Sequence, residues 1–296
     1  MLTLLPDDVC VTTCTAPTAC GPCGVAVLVP SRPTRRVFIV AMGYGAHIDE
    51  FELQRFRLLA NELRARLVVV ETPGHGTPGS HLTWSERLRL LGWSDFLPVA
   101  ERMVDAATAA EPRLATASVG VIGYSLGTSI GTAMAHVLHR RNNVPVPALV
   151  LVEPVSGRAW RPQALLAATR AEGLLVDEAL AQNQIVDGAV LPTDRGTPRN
   201  TVRRCRLDLL LLANALRSGK LSEQVARSCA DHVVVIRGDK SRLSLTRPVA
   251  EVTARSRAMG LDVRELEMVG SHALWHSLPS VRRIGSFVAG VLDGDR

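Results

Sequence analysis

Short apolar runs alternate along the chain with longer segments in which apolar residues recur at helical spacing. The short runs lie at 25–30, 36–41, 66–71, 118–122, 147–153, 232–238 and 262–269, and the helical patterns lie at 51–65, 84–110, 128–140, 247–259 and 279–292. Runs rich in valine and isoleucine predict buried strands. Strands that alternate with helices form a mainly parallel sheet covered on both faces. The sequence therefore predicts an α/β fold.

Two details of this pattern lead to further predictions. Only Ser-Arg-Pro-Thr-Arg separates the runs 25–30 and 36–41, and this short polar connection predicts that they pair as a β-hairpin. The long pattern 84–110 contains Gly92, where a helix can break.

Residues 155–230 interrupt the alternation, because they contain helical patterns and no clear strand. We expect them to form a helical cap inserted into a core made of residues 1–154 and 231–296. The cap has more basic than acidic side chains. Its apolar stretch 207–216 is too short to span a bilayer, and we expect it to line an acyl-binding pocket.

Candidate chemistry begins with Gly123-Tyr124-Ser125-Leu126-Gly127, which joins a predicted strand to a predicted helix. A nucleophile elbow requires this context, in which the glycines relieve crowding around a strained serine. The helix N-terminus would favour developing negative charge. The simpler interpretation is a tight strand-to-helix connection, and the partners of Ser125 decide between the two.

A second glycine-rich segment, Met-Gly-Tyr-Gly-Ala-His at 42–47, follows the strand 36–41. Its glycines would let the backbone approach a reacting carbonyl oxygen. An oxyanion hole needs two preorganised donors, and the N–H groups of Tyr44 and Leu126 are our candidates. The alternative for 42–47 is an ordinary glycine-rich turn.

Two histidine-containing loops complete the pattern. Strand 66–71 is followed by Pro-Gly-His-Gly at 73–76, and His272 lies just past strand 262–269. The order of these segments along the chain resembles that of the α/β-hydrolase superfamily. The segments are the glycine-rich loop, the Pro-Gly-His-Gly turn, the serine elbow, the cap and the histidine loop. The resemblance implies that His75 is a structural loop residue and that His272 is the catalytic histidine. His272 would accept the Ser125 proton and return it to the leaving group. His276, one helical turn later, is expected to pack or to face solvent.

The acid of the triad has two candidates. The family usually places it three residues after the glycine that ends the penultimate strand, and Ser241 occupies that position here. A serine lacks the charge of a carboxylate. Asp239, two residues earlier in the same loop, is the preferred candidate. Glu153 is the alternative, because some hydrolases of this fold place the acid after the strand that precedes the cap.

The charge of the chain raises the question of nucleic-acid binding, since the formal net charge is +6 and the sequence pI is about 9.4. The basic residues are spread along the chain, and the densest patch, 199–206, has no aromatic residues that could stack on bases. We therefore expect no nucleic-acid partner. The first residues lack a basic segment ahead of their apolar residues, so we expect a cytoplasmic protein that does not bind a membrane.

The N-terminal cysteines Cys10, Cys14, Cys20 and Cys23 could supply thiolates to zinc or form disulfides. Against zinc, the gap between the two pairs is shorter than in ordinary zinc ribbons. Cys10 and Cys14 also lie in a predicted strand, where their spacing does not suit chelation. We expect half-buried thiols in an N-terminal hairpin and no metal site.

The resemblance and the motifs together predict a serine hydrolase that cleaves a small-molecule carboxylic ester or thioester through an acyl-enzyme on Ser125. No metal or organic cofactor is expected. One alternative is an acyltransferase or thioesterase of a biosynthetic pathway, for which an acyl–CoA or carrier-protein substrate would suit the basic cap. Another is a non-catalytic binding protein on the same scaffold, supported by Ser241 in the acid position. The oligomeric state is left open.

Overall fold

The computed structural model describes residues 8–32, 35–187 and 205–294, with the side chains of 182–187 left aside. Within these residues, eight strands form one sheet in the order β1-β2-β4-β3-β5-β6-β7-β8. The strands are β1 (Val9–Ala16), β2 (Cys23–Pro30), β3 (Arg36–Ala41), β4 (Ala65–Val70), β5 (Val119–Tyr124), β6 (Val146–Val152), β7 (Ala230–Gly238) and β8 (Asp262–Met268). The pairs β1–β2 and β2–β4 are antiparallel and the other pairs are parallel. The predicted α/β fold with a mainly parallel sheet is confirmed.

Helices connect the strands. They are α1 (Glu50–Leu63), α2 (Trp84–Trp93), α3 (Leu97–Ala110), α4 (Leu126–Asn142), α5 (Pro162–Asp187), α6 (Arg206–Leu216), α7 (Leu221–Ala226), α8 (Thr246–Ala258) and α9 (Leu278–Asp293). Short 3₁₀ helices lie at Pro112–Ala115 and His272–His276. The long pattern 84–110 breaks after α2, where Ser94 adopts a left-handed conformation with φ of 52°. No helix among the described residues is both long and apolar enough to cross a membrane.

The predicted hairpin between the first two apolar runs is wrong. Strand β3 lies between β4 and β5 and pairs with both in parallel, whereas β2 pairs antiparallel with β1 and β4. The run in β3 is apolar at almost every position, which suits a central strand buried on both faces better than an outer hairpin. The hairpin forms instead between β1 and β2. Its cysteines are unpaired by disulfides: Cys10, Cys14 and Cys20 are exposed and Cys23 is buried.

Both faces of the sheet carry a hydrophobic core. On one face, Ile39 and Ala41 of β3 pack in a cluster with residues of α3 and α4. On the other face, Phe38 and Val40 pack with residues of α1 and α9. Full burial of each large apolar side chain contributes about 1.5–3 kcal/mol, so these two layers fix the strand ends where the site is built.

The described part of 155–230 follows β6 and precedes β7, at the position predicted for the cap. It contains α5, α6 and α7 and an isolated bridge between Ala159 and Ser218. Most of the basic stretch 199–206 lies outside the described residues. The division of the chain into a core and a cap stays a prediction.

Candidate active site

The serine elbow lies between β5 and α4. Ser125 has φ of 54° and ψ of −114°, a conformation that few non-glycine residues adopt and that costs about 1–3 kcal/mol. Neighbouring backbone crowds the turn. A Cβ on Gly123 would lie 2.2 Å from the Gly127 carbonyl oxygen, and one on Gly127 would lie 2.0 Å from the Ala41 carbonyl oxygen. Gly123 is therefore required for the turn itself, and Gly127 is required for the elbow to sit against β3.

His272 reaches Ser125 from the loop after β8. Its Nε2 lies 2.9 Å from Ser125 Oγ. The Tyr124 ring stacks on the imidazole with ring centroids 5.5 Å apart, and the Tyr124 hydroxyl donates to the His272 carbonyl oxygen at 3.1 Å. These contacts hold the ring in place.

Glu153 is the carboxylate that contacts His272. Its Oε2 lies 2.8 Å from His272 Nδ1, and its side chain is fully buried. Ser241 Oγ donates to the same oxygen at 2.6 Å, and the Gly238 N–H donates to Oε1. These donors compensate the cost of burying the charge. Because an ionised carboxylate only accepts, Nδ1 carries the imidazole proton and Nε2 accepts from the Ser125 hydroxyl.

Asp239, the preferred acid of the sequence analysis, lies elsewhere. Its Oδ1 accepts the Gly270 N–H at 2.9 Å, and its own N–H donates to the Met268 carbonyl oxygen at 2.8 Å. The exposed side chain thus ties the loop after β7 to the loop after β8. Ser241, two residues later in this loop, contacts Glu153 instead of replacing it. In the structure Glu153, the alternative, contacts the histidine and Asp239, the preferred candidate, does not, and the catalytic role of either carboxylate stays a prediction.

The predicted oxyanion loop passes close to the serine. A Cβ on Gly43 would lie 3.6 Å from Ser125 Cβ and 2.9 Å from the Tyr124 ring, so only glycine allows this approach. Leu126 is the first residue of α4, where backbone N–H groups have no intrahelical acceptor. Tyr44 lines the same cleft as Ser125. The roles of the Tyr44 and Leu126 N–H groups stay predictions.

Glu71, to which the sequence assigns no role, accepts hydrogen bonds next to this loop. Its Oε1 accepts the Ile48 N–H at 2.7 Å, and its Oε2 accepts the Thr77 N–H at 2.9 Å and the Thr77 hydroxyl. The carboxylate thereby joins the glycine-rich loop to the Pro-Gly-His-Gly turn. His75 is buried in that turn with its ring edge-on to Tyr44, ring centroids 6.0 Å apart. This placement agrees with a packing role for His75.

Glu172 of α5 is a site residue that the sequence did not reveal. It is buried, its Oε2 accepts the His272 N–H at 3.1 Å, and its Oε1 accepts the Arg242 N–H. One carboxylate from the predicted cap thus holds both loops that flank Glu153. The sequence offers no signal for it, because Glu172 resembles the other acidic residues of a long helical pattern.

The buried carboxyl of Glu52 lies at the edge of the site. Its Oε2 accepts the Trp275 indole N–H at 3.1 Å. Burial raises the pKa of Glu52 to about 7, partly offset by the Arg55 guanidinium, whose own pKa burial lowers to about 10. Arg55 also donates to the His276 carbonyl oxygen at 2.6 Å. The His276 ring packs on Phe51, with centroids 5.5 Å apart, which is the first of the two placements expected for it.

Ser125 and His272 open into a cleft of about 310 Å³. Its apolar wall is formed by Phe51, Val176, Leu180 and Leu243. The prediction that residues 207–216 line the pocket is wrong for the described cleft, whose cap residues come from α5. In α6, Leu212, Ala215 and Leu216 pack into the core, while Leu207 and Leu210 are exposed. Apolar composition alone did not show which cap helix faces the serine.

The arrangement can move a proton from Ser125 to an imidazole whose opposite nitrogen faces a buried carboxylate. His272 therefore contacts both a candidate nucleophile and a carboxylate that could orient it. The apolar cleft beside them can hold the group that the serine attacks.

Comparisons with known proteins identify the family and the fold. A family model described as "Alpha/beta hydrolase family" matches residues 26–282. A thermostable carboxyl esterase from Bacillus coagulans, solved with glycerol, is similar in structure, with a TM-score of 0.63, 16% identity, and coverage of 96% of this chain and 98% of that chain. A lipase in its open form gives a TM-score of 0.61 at 15% identity, covering 97% and 100%. The thioesterase domain from the curacin biosynthetic pathway gives 0.56 at 15% identity, covering 96% and 99%. At these identities the structures show a shared fold. A comparison with curated proteins finds no match.

Proposed function

The chain belongs to the alpha/beta hydrolase family, and on that premise we propose that it is a serine hydrolase that cleaves a carboxylic ester or thioester. The observation that carries the proposal is the hydrogen-bonded sequence from Ser125 Oγ through His272 to Glu153, with distances of 2.9 and 2.8 Å. These side chains come from three different strand ends, at the sheet edge where α/β proteins place their ligands.

In the proposed first half-reaction, Ser125 Oγ attacks the carbonyl carbon while His272 Nε2 takes the hydroxyl proton. Glu153 stabilises the imidazolium that forms. The Tyr44 and Leu126 N–H groups would hold the oxyanion, and loss of one such donor typically costs about 10²–10³ in rate. The carbon–oxygen or carbon–sulfur bond then breaks, and His272 protonates the departing alcohol or thiol. The acyl group remains on Ser125.

In the second half-reaction, His272 removes a proton from water as the water attacks the acyl carbon. The tetrahedral intermediate collapses, the carboxylic acid leaves, and Ser125 recovers its proton. A different acceptor in place of water would make the protein an acyltransferase, through the same acyl-enzyme. The alternative of a non-catalytic binding protein loses its support, because Glu153 supplies the carboxylate that Ser241 cannot.

The cleft favours a compact apolar acyl group. Its volume of about 310 Å³ lies at the low end of the range for small-molecule sites, which is roughly 300–1,000 Å³. Val176, Leu180 and Leu243 offer the acyl chain apolar contacts. We therefore expect short and medium acyl esters to react faster than long ones.

A fluorophosphonate probe tests the proposal. The native protein should be labelled on the peptide that contains Ser125, and Ser125→Ala should not be labelled. Ser129→Ala is the matched control, because Ser129 is a buried serine one turn further along α4 and should leave labelling unchanged. Absence of labelling in well-folded native protein would exclude the hydrolase function.

A further inference from the structure

A second cluster of reactive side chains lies away from the cleft, where α6 meets the loop after β4. His81 comes from that loop, Cys205 directly precedes α6, and Asp208 lies in its first turn. One nitrogen, sulfur or oxygen atom from each of the three lies within 4.8 Å of the other two. These residues are distant in sequence, so the folded chain creates the cluster.

Asp208 is held in one orientation. The side chain is fully buried, and its Oδ1 accepts from Arg87 Nε at 3.0 Å. Its Oδ2 accepts the Leu82 N–H at 3.1 Å and faces His81 Nδ1 at 3.7 Å. Hydrogen bonds thus fix both oxygens of the carboxylate, and one of these oxygens faces a histidine; metal-binding carboxylates are hydrogen-bonded in the same way.

The loop and the helix meet closely enough to fix Cys205 as well. The Cys205 N–H donates to the Gly74 carbonyl oxygen at 3.1 Å. Gly74 has φ of +90°, and a Cβ there would lie 2.8 Å from Asp208 Cβ. Cys205 and Asp208 are three residues apart, so they lie on one side of the first helical turn.

We propose that His81, Cys205 and Asp208 bind a zinc ion. Sulfur, nitrogen and oxygen donors together suit Zn²⁺, whereas Mg²⁺ and Ca²⁺ prefer oxygen alone. Zinc–ligand bonds of about 2.0–2.3 Å place tetrahedral ligands roughly 3.3–3.7 Å apart. Small rotations close the difference from 4.8 Å, and the His81 side chain, 56% exposed, has room to make them. Water would complete the coordination.

The role of this zinc is to fasten α6 to the loop after β4. None of the three ligands lines the cleft that contains Ser125, so the ion takes no part in the acyl transfer. The same loop contacts the glycine-rich loop through Glu71, which bonds both Thr77 and Ile48. This site departs from our sequence-based expectation of no metal, and it uses none of the N-terminal cysteines.

Metal binding by the full-length chain tests the proposal without any measurement of activity. After treatment with a chelator, the protein should bind one Zn²⁺ per chain by calorimetry. Co²⁺ should give a thiolate charge-transfer band. At a hundredfold excess over Kd, zinc should raise Tm by roughly 5–10 °C.

Variants show which residues are responsible. Cys205→Ser and His81→Ala should each lose the cobalt band and weaken zinc binding at least tenfold, as loss of a ligand predicts. Both side chains are partly exposed, so the variants should fold, as circular dichroism would show. Cys229→Ser, an exposed cysteine elsewhere, should bind like the native protein. The triple variant Cys10→Ser, Cys14→Ser and Cys20→Ser should also keep the site.

Two results would overturn the proposal. One is a chelator-treated native protein that binds no zinc. The other is unchanged binding in Cys205→Ser and His81→Ala, or binding lost only in the triple variant, which would place the metal at the N-terminal thiols. Because the readouts are metal binding and Tm, this failure is distinct from a failure of the hydrolase proposal.

Discussion

The substitution Glu153→Gln probes the acid of the proposed triad with little change in shape. It removes the negative charge 2.8 Å from His272 Nδ1 and can place an amide N–H there instead. Facing a donor, Nδ1 becomes an acceptor, and the imidazole proton moves to Nε2. Nε2 can then no longer accept the proton of Ser125, whose Oγ lies 2.9 Å away.

The expected loss follows from the geometry. The comparable amide substitution in serine proteases lowers kcat about 10⁴-fold, which corresponds to about 5.5 kcal/mol of transition-state stabilisation. Glu153 is fully buried and accepts two further hydrogen bonds, so no solvent can substitute for its charge. We expect a loss of at least 10³-fold in kcat, with little change in KM.

The assay is steady-state hydrolysis of a short p-nitrophenyl ester at pH 7.5. Asp239→Asn is the matched control, because Asp239 is exposed and contacts the Gly270 N–H and not the histidine. It should stay within about threefold of the native rate, as surface substitutions away from the reacting groups do. A near-native rate in Glu153→Gln together with a large loss in Asp239→Asn would refute the reasoning.

Three further predictions concern Glu172, two helical glycines and Glu52. In the assay with the same ester, Glu172→Ala should lower kcat about tenfold, because two backbone N–H groups lose their acceptor. Glu172→Gln should lower kcat less, because its amide oxygen can still accept one of these N–H groups. Gly127→Ala should destabilise the fold by about 3 kcal/mol in urea unfolding, since its Cβ would lie 2.0 Å from a backbone oxygen. Gly92→Ala, with nothing within 4 Å of its Cβ, should instead stabilise by about 0.5–1 kcal/mol. Burial raises the pKa of Glu52 from 4.5 to about 7 in the folded state. Between these two pH values the folded protein keeps a proton on Glu52 that the unfolded chain has released. The free energy of unfolding therefore falls as pH rises from 4.5 to 7. The fall in unfolding free energy from pH 5 to pH 7.5, measured by urea unfolding, should be smaller in Glu52→Gln by up to about 3 kcal/mol. The same pH dependence of stability in the native protein and in Glu52→Gln would contradict the last prediction. Similar stability changes in Gly127→Ala and Gly92→Ala would contradict the second, and full activity in Glu172→Ala would contradict the first.

The strand and helix positions could be predicted because burial imposes its period on the sequence. Runs such as 66–71 and 147–153 are apolar at nearly every position, as strands covered on both faces must be. Strand pairing was harder to predict. The runs 25–30 and 36–41 are neighbours in the chain, yet β4 lies between the strands they form, because a short connection does not by itself fix which edges meet.

In the candidate site, too, local sequence patterns predicted some residues, and others became visible only in the folded chain. Ser125 and His272 each follow a strand in a recognisable local pattern, and the structure brings them together. Asp239 and Glu153 both follow strands as well, so local sequence could not distinguish them. The choice depends on the direction of each side chain at the sheet edge, and Glu153 is the one directed at the histidine. Glu172 reaches the site only through packing of a distant helix.

The most direct test of the central claim is the mass of the acyl-enzyme. The native protein, mixed with p-nitrophenyl acetate and quenched in acid within milliseconds, should carry one acetyl group on the peptide that contains Ser125. Under the same conditions Ser125→Ala should carry none there. An acetyl group on another residue, or steady turnover of the ester by Ser125→Ala at the native rate, would contradict the account.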